Sequence, residues 1–253
     1  MINIDFSNKN ILITGGASGA GRGIVRQFAK TGGRIIFSYN HSRQEADSLL
    51  EELKDCDLHA YHLDQSDLSS IDDTVEQIVE DNGKLDVLVN NAGIYPAKKM
   101  NDISEEDWDQ MLDTNTKGIF FLSRKASQNM NENSAIINIS SINATNPSVT
   151  LIHYGTSKAA VEMLTRCMAY ELGPKIRVNC IAPGLIYKKG QEAWIPGWTE
   201  SYCERAALKK LVHAEDIGNA AIFLASDLSG AITGQTITVD CGIELAPCFD
   251  NTH

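Results

Sequence analysis

Tyr154 and Lys158 stand four residues apart in IHYGTSKAA (152–160), a stretch of helical composition. At that spacing two side chains lie one above the other on a single helix face. A tyrosine phenol has an ordinary pKa of about 10 and is a poor base at neutral pH. An ammonium beside it favours the phenolate and lowers that pKa. The pair therefore describes a proton-transfer device, an acid/base tuned by a neighbouring charge. Two solvated surface side chains would show the same spacing, so companion residues have to decide.

The first companion is TGGASGAG, Thr14 to Gly21. It lies between an apolar run and an amphipathic segment, the strand–turn–helix position where a parallel sheet binds ligands. Its spacing is G-x-x-x-G-x-G through Gly15, Gly19 and Gly21. Glycines let a backbone approach a pyrophosphate, and a helix N-terminus adds free N–H groups and partial positive charge. Gly15, Ser18, Gly19 and Ala20 are the expected cradle of a dinucleotide.

The end of the second apolar run reads Ser38, Tyr39, Asn40, His41, Ser42, Arg43, with no carboxylate before Glu45. An acid about twenty residues past the glycines would bind the ribose 2′-hydroxyl of NAD, whereas a 2′-phosphate requires cations. NADP(H) is therefore expected over NAD(H), with Asn40, His41 and Ser42 at the ribose and Arg43 as the charge, His41 being mostly neutral at neutral pH.

These residues need elements to hold them. Seven apolar runs read as strands, at 10–16, 34–40, 58–64, 85–93, 134–141, 175–184 and 235–242. Between them fall helical patterns at 21–33, 42–55, about 69–83, 104–133 and from the Tyr–Lys segment to about Leu172. Ser70 to Asp73 and Ser104 to Asp107 read as capping boxes, and Gly173 and Pro174 as a stop signal. Strand–helix alternation predicts an α/β fold, one doubly wound parallel sheet with helices on both faces. The whole chain, 1–253, reads as a single domain, and the irregular stretch at about 185–210, with Trp194, Trp198 and Tyr202, as a substrate lid.

Of the 253 residues, 43% are hydrophobic and 22% charged, and the formal net charge is −11. Such acidity disfavours nucleic acid and anionic membranes as partners. The six cysteines, Cys56, Cys167, Cys180, Cys203, Cys241 and Cys248, form no C-x-x-C pair and no zinc spacing. They are expected to be buried, reduced thiols. No secretory signal and no membrane-length apolar run is visible, so a cytoplasmic protein is expected.

In their order, TGGASGAG (14–21), NNAG (90–93), Asn115 in NTKG, the serines of NISS (138–141), YGTSK (154–158) and PG (183–184) resemble the short-chain dehydrogenase/reductase family of single-domain Rossmann oxidoreductases, over about residues 5–245. The resemblance implies that Tyr154 exchanges a proton with a carbonyl or alcohol oxygen. Lys158 would hold the nicotinamide ribose and lower the tyrosine's pKa, and Ser141 would hold the substrate oxygen. Asn115 would relay protons through water. It further implies that Asp64 and Gln65 line the adenine side, that Asn91, Ala92 and Gly93 line the cofactor, and that Pro183, Gly184 and Ile186 pass beside the nicotinamide. No metal is implied.

A threonine common five residues after the proline of PG is here Lys188, followed by Lys189; either would meet a phosphate or be solvated. The reading is an NADPH-dependent carbonyl reductase or secondary-alcohol dehydrogenase with a small-molecule substrate. A 3-oxoacyl-(acyl carrier protein) reductase is one alternative and an inactive cofactor-sensing regulator another. The resemblance also implies a homotetramer. The width of the apolar surface over Val161, Met163, Leu164, Cys167 and Met168 agrees with it, although a fully buried helix would show the same residues.

Overall fold

The computed structural model describes residues 4–188 and 197–246. Its strands are β1 (Asn10–Ile13), β2 (Arg34–Tyr39), β3 (Leu58–His62), β4 (Leu85–Asn90), β5 (Met130–Ile139), β6 (Ile176–Pro183) and β7 (Thr236–Val239). They form one sheet in the order β3-β2-β1-β4-β5-β6-β7, with every neighbouring pair parallel. The helices are α1 (Gly19–Phe28), α2 (Arg43–Glu52), α3 (Leu68–Asn82), α4 (Glu105–Leu112), α5 (Gly118–Ser127), α6 (Ile152–Leu172), α7 (Trp198–Arg205) and α8 (Ala214–Ala225). The expected doubly wound architecture is the observed one.

The apolar runs are continuous because both sheet faces are covered. Alternate residues go to opposite cores: Ile11, Ile13, Ile35, Phe37, Val87 and Val89 pack with Ile24 and Phe28 of α1 and Ile217 of α8. Leu12, Ile36, Leu88, Ile136 and Val178 pack with Ile71, Val75 and Ile78 of α3, Leu122 of α5 and Met168 of α6.

Four local expectations change. The helix expected over 104–133 stops at Ser127, interrupted by a π-helical turn at Asp113–Lys117, and β5 already begins at Met130. Pairing decides this. Met130 lies opposite Leu85, Asn131 Nδ2 donates to Asp86 Oδ1 at 3.0 Å, and Asn133 takes a positive φ of 61°. The second change is in α3, which starts at Leu68 with Asp67 as its cap, the carboxylate accepting from Ser69 N at 3.0 Å. Ser70 instead gives its hydroxyl oxygen to Asp64 N, so no box forms there. The box at Ser104 and Asp107 does form.

Third, α8 answers to no expected element. Arg177 on β6 holds its C-terminus, donating to the carbonyls of Leu224 (2.8 Å), Ala225 (3.3 Å) and Ser226 (3.2 Å). These are carbonyls that a helix end leaves unpaired. Fourth, the five cysteines among the described residues are free thiols but not uniformly buried: Cys180 is buried, Cys56, Cys203 and Cys241 are half-buried, and Cys167 is exposed. Cys167 falls on the outward stripe of α6 with Met163 and Tyr170, at helical spacing. Cys248, Lys189 and Trp194 lie outside the described residues. Among the described residues, no helix is long and apolar enough to cross a membrane and no cluster could hold a metal ion.

Candidate active site

Strand order reverses between β1 and β4, and the crevice at the carboxyl ends of these two strands is where such sheets bind ligands. Thr14, fully buried, closes its floor. Its hydroxyl accepts from Asn91 N (3.0 Å) and Ala92 N (2.9 Å), while Asn91 Nδ2 donates to Thr14 O (2.8 Å) and Gly15 O (3.2 Å). The glycine loop and NNAG are thus bound to each other.

The glycines follow from this closeness. Gly15 has φ +63°, and a Cβ on it would stand 3.0 Å from Ala92 Cα. A Cβ on Gly21 would stand 2.1 Å from the Gly15 carbonyl oxygen and 2.5 Å from Asn91 Nδ2. Gly19 differs: φ is +54° and a Cβ there would meet nothing within 4 Å, so this glycine faces open space. Ser18 caps α1 in extended conformation without a side-chain hydrogen bond, and the first turn holds no acid. An open glycine shelf before an uncapped helix N-terminus fits a diphosphate. Ala20 lies in that first turn.

Across the crevice from the glycine loop's strand, Asn40, His41 and Ser42 follow β2, with Ser42 at the cap of α2. Hydrogen bonds from Ser66, then from the Asn40 side chain, together with the field of His41, hold the Asp64 carboxyl below its ordinary range against its partial burial. Gln65 is buried, donating to Thr114 O at 2.9 Å, and its Oε1 has no partner within the described residues. Arg43 donates to Asp47 (3.0 Å) and to the Tyr39 hydroxyl (2.8 Å), with its guanidinium 5.6 Å from the Tyr39 ring centre.

On the opposite side, α6 brings Tyr154 and Lys158 to the end of β5, beside Ser141, whose Oγ accepts from Asn143 N at 3.1 Å. Of the two serines in NISS, Ser140 turns away, donating to Lys158 O and Glu162 Oε1, both at 3.1 Å. Asn115 reaches in from the π-helical turn, a feature frequent at functional sites. Its Oδ1 accepts from Ile94 N (2.9 Å), and its Nδ2 donates to Ile94 O (2.8 Å) and Ser157 Oγ (3.2 Å). Gly93 sits between these groups: a Cβ on it would lie 3.0 Å from Asn115 Oδ1 and 3.6 Å from Lys158 Nζ. Pro183 ends β6, and Gly184 is squeezed between Asp240 Cα (2.8 Å from a built Cβ) and the Tyr202 hydroxyl (2.9 Å). Ile186 forms a parallel bridge with Val212.

One electrostatic expectation is corrected. Lys158 was expected to lower the Tyr154 pKa. Burial instead pushes the phenol up from its ordinary value; the Ser141 hydrogen bond pulls it part of the way down and Tyr95 adds to the rise. The ammonium is turned aside. Nζ donates to Ile139 O at 2.7 Å and lies 5.7 Å from the Tyr154 ring centre. Desolvation brings Lys158 itself down from 10.5 to about 8.

Three features were not legible from the motifs: the π-helical turn, Tyr95 and the position of Lys188. The Tyr95 ring meets the Tyr154 ring edge-on at 6.2 Å. Lys188, expected at a phosphate or in solvent, hydrogen-bonds the Tyr95 hydroxyl and places its ammonium 4.7 Å from that ring's centre. The signal for Tyr95 was its place two residues past NNAG, at the mouth of the crevice. In the expected lid, Trp198 packs edge-on with Tyr202 at 6.4 Å, and the Tyr202 hydroxyl accepts from Leu185 N at 3.0 Å.

A family model described as enoyl-(acyl carrier protein) reductase matches residues 15–244. A 3-oxoacyl-(acyl-carrier-protein) reductase of Staphylococcus aureus is 35% identical over 240 residues, covering 93% of this chain and 98% of its own. Among solved structures, a short-chain dehydrogenase/reductase from Serratia marcescens is 30% identical with a TM-score of 0.89, over 94% of this chain and 98% of that one. A blue fluorescent protein from a metagenomic library, in complex with NADPH, is 30% identical with a TM-score of 0.87, over 96% and 99% of the two chains.

Burying Lys158 has a measurable consequence. A fall from 10.5 to about 8 corresponds to a folding penalty of about 3 kcal/mol at neutral pH. The unfolded chain binds the extra proton between those two values, so this group's contribution to stability rises as pH climbs from about 8 to 10.5. Lys158→Met should therefore melt above the wild type near neutral pH, with the gap narrowing through that window. Thermal melts across the pH range test this; a variant less stable at neutral pH would show that the bond to Ile139 outweighs the desolvation.

Proposed function

The chain belongs to the short-chain dehydrogenase/reductase family, and we propose that within it the protein is an NADPH-dependent carbonyl reductase or secondary-alcohol dehydrogenase acting on a small molecule. The observation that carries this reading is the convergence of Ser141, Tyr154 and Lys158 on the crevice whose other wall is the glycine loop. When bound, the nicotinamide supplies or accepts the hydride at the carbon bearing the oxygen.

The chain's own residues handle the proton. The Ser141 hydroxyl orients the substrate oxygen by a hydrogen bond. Tyr154, kept protonated at neutral pH by its burial, delivers its proton to that oxygen in reduction. Oxidation needs the reverse transfer, and the Lys158 ammonium, charged below about 8, supplies the nearby positive field that a phenolate requires. Asn115 fixes the Ile94 backbone and the Ser157 hydroxyl, which in turn donates to Tyr154 O at 2.7 Å. It thereby fixes the first turn of α6.

The NADP(H) preference rests on the absence of a carboxylate at the end of β2, and the NADPH complex of the metagenomic relative supports it. Arg43 would have to share its charge between Asp47 and a 2′-phosphate. A second reading, reduction of a 3-oxoacyl group on a carrier protein, is favoured by the name of the Staphylococcus aureus relative. An acidic carrier needs free basic residues near the mouth. The basic residues in question are Lys175, Lys209 and Lys210, and Lys209 Nζ already donates to the Glu204 carbonyl. Kinetics with matched 3-oxoacyl substrates, free and carrier-bound, separate the two. The intact Ser141, Tyr154 and Lys158 speak against an inactive regulator.

We also propose a homotetramer. The outward stripe of α6 exposes Met163 (56%) and Tyr170 (93%), with Cys167 between them and Phe120 of α5 also exposed. One chain does not bury this surface.

Three outcomes follow. Tyr154→Phe should cut turnover at least about 100-fold, as expected for a lost acid/base, with cofactor affinity little changed; retention of a tenth of the activity would refute the assignment. Wild type should bind NADPH more tightly than NADH, and Asn40→Asp should erase or reverse that order, because a carboxylate repels the 2′-phosphate; titration of both cofactors into both proteins decides. Sedimentation at micromolar concentration should give a particle near four times 27.7 kDa, and a clean monomer would remove the assembly.

A further inference from the structure

Arg22 joins separate pieces of the chain. It lies one turn beyond Ser18 in α1 and reaches sideways to α2. Nη1 donates to the carbonyl of Ala17 in the glycine loop (3.3 Å) and to that of Glu45 in the first turn of α2 (3.1 Å). Nη2 donates to Ser48 Oγ (3.3 Å) and to Glu52 Oε2 (2.7 Å), at the other end of the same helix. The side chain is only 19% exposed. Glu52 is itself held by Arg26, which donates to it from Nε (2.6 Å) and Nη2 (2.9 Å). The bonds from Arg26 and then from Arg22 bring the Glu52 carboxyl down to about 2.

Each terminal nitrogen of a guanidinium carries two N–H groups. On Arg22 all of these are in use, and Glu52 offsets the charge, so the residue acts through the backbone it holds. Gly15 N and Gly16 N anchor the glycine loop to Ser38 of β2, at 3.2 and 2.9 Å. Arg22 carries that anchorage across to α2. Ser18 follows Ala17, and Ser42 caps the helix whose first turn contains Glu45, so the two caps stand on either side of the clamp. Neither cap has a side-chain hydrogen bond to its own helix.

We propose that Arg22 is a positioning residue for cofactor selection: by clamping the glycine loop to the first turn of α2, it sets the width of the opening between Ser18 and Asn40–Ser42 so that a ribose 2′-phosphate is gripped from both rims. The inference rests on the NADP(H) reading and deepens it. Arg43 supplies charge, and Arg22 supplies a fixed distance. A phosphate has three acceptor oxygens and draws on several donors at once, whereas a 2′-hydroxyl is satisfied by one partner. A slack opening therefore costs NADPH more than NADH. The planar fork of arginine is what lets one side chain serve two carbonyls and a carboxylate; a lysine keeps the charge and loses the fork.

The test is titration of NADPH and of NADH into wild type, Arg22→Met, Arg22→Lys and Glu52→Gln, with cofactor fluorescence as the readout and thermal melts to show that each protein is folded. Arg22→Met should lose about 10–100-fold in NADPH affinity, the scale set by a misplaced binding group, and little in NADH affinity. Arg22→Lys should lose nearly as much, and it carries the test alone if Arg22→Met does not fold. Glu52→Gln, which leaves the two carbonyl contacts in place, should lose less than either. Equal losses for both cofactors would make Arg22 merely structural and overturn the inference. So would an unchanged preference in Arg22→Met, or full retention by Arg22→Lys, which would show that charge and not geometry matters. A Glu52→Gln protein that binds NADPH more tightly than wild type would make Arg22 a direct phosphate ligand and overturn it too. A wild type that binds NADH at least as tightly as NADPH removes the NADP(H) reading itself, and the wild-type titration shows this before any variant is compared.

Discussion

The buried hydroxyl of Thr14 is the contact on which the rest of the site depends. A parallel sheet opens a crevice where neighbouring strands send their connections to opposite faces. Left alone, the ends of β1 and β4 would splay and expose their backbone. Thr14 accepts from two successive amides of NNAG, and Asn91 returns a bond to Thr14 O. The loops are thereby drawn so close that Gly15 and Gly21 have no space for a Cβ. The glycine spacing is a steric consequence of that closure, and the open shelf at Gly19 is what remains for a ligand.

A second polar chain sets the opposite wall. Asn90 Nδ2 donates to Ser123 Oγ (2.9 Å) and to Asn138 Oδ1 (2.8 Å), and Asn138 Nδ2 donates to Thr165 Oγ1 (2.9 Å). All four residues are wholly buried. They tie β4 and β5 to α5 and α6 with directional bonds, where apolar packing alone would tolerate a helix sliding along the sheet. A misplaced hydrogen bond in the core is costly, so this chain fixes the height of α6. The height of α6 is the height of Tyr154 and Lys158.

What could be read in the sequence were the features set by local chemistry. Seven apolar runs, the capping box at Ser104, the stop after Leu172 and the ordered motifs gave the sheet and located the crevice. What could not be read depended on partners distant in the chain. The end of α5 is decided by β5 pairing with β4 and not by helix propensity in QNMNEN. Helix α8 is obscured by Gly218, a poor helix residue whose absent side chain makes room for Gln27: a Cβ there would come within 2.7 Å of its Cγ. Gly23 of α1 likewise leaves room for Ala214, 2.4 Å from a built Cβ. Both glycines weaken the local signal in order to let two helices approach. The Tyr95–Lys188 contact joins residues 93 positions apart and carries no sequence signature at all.

Burial explains why the two catalytic candidates behave differently from free side chains. The same desolvation raises Tyr154 and lowers Lys158, because it penalises phenolate and ammonium alike. The four-residue step on the helix therefore does not by itself create a base. It places a neutral phenol beside an amine that burial brings down to about 8, still mostly charged at neutral pH. Such a pair is suited to donating a proton, and accepting one requires an added positive charge in the same pocket. An oxidised nicotinamide held in the crevice that Thr14 closes would bring such a charge, and the proton affinity of Tyr154 would then follow the redox state of the cofactor, with the phenol protonated beside the reduced form and lowered beside the oxidised one.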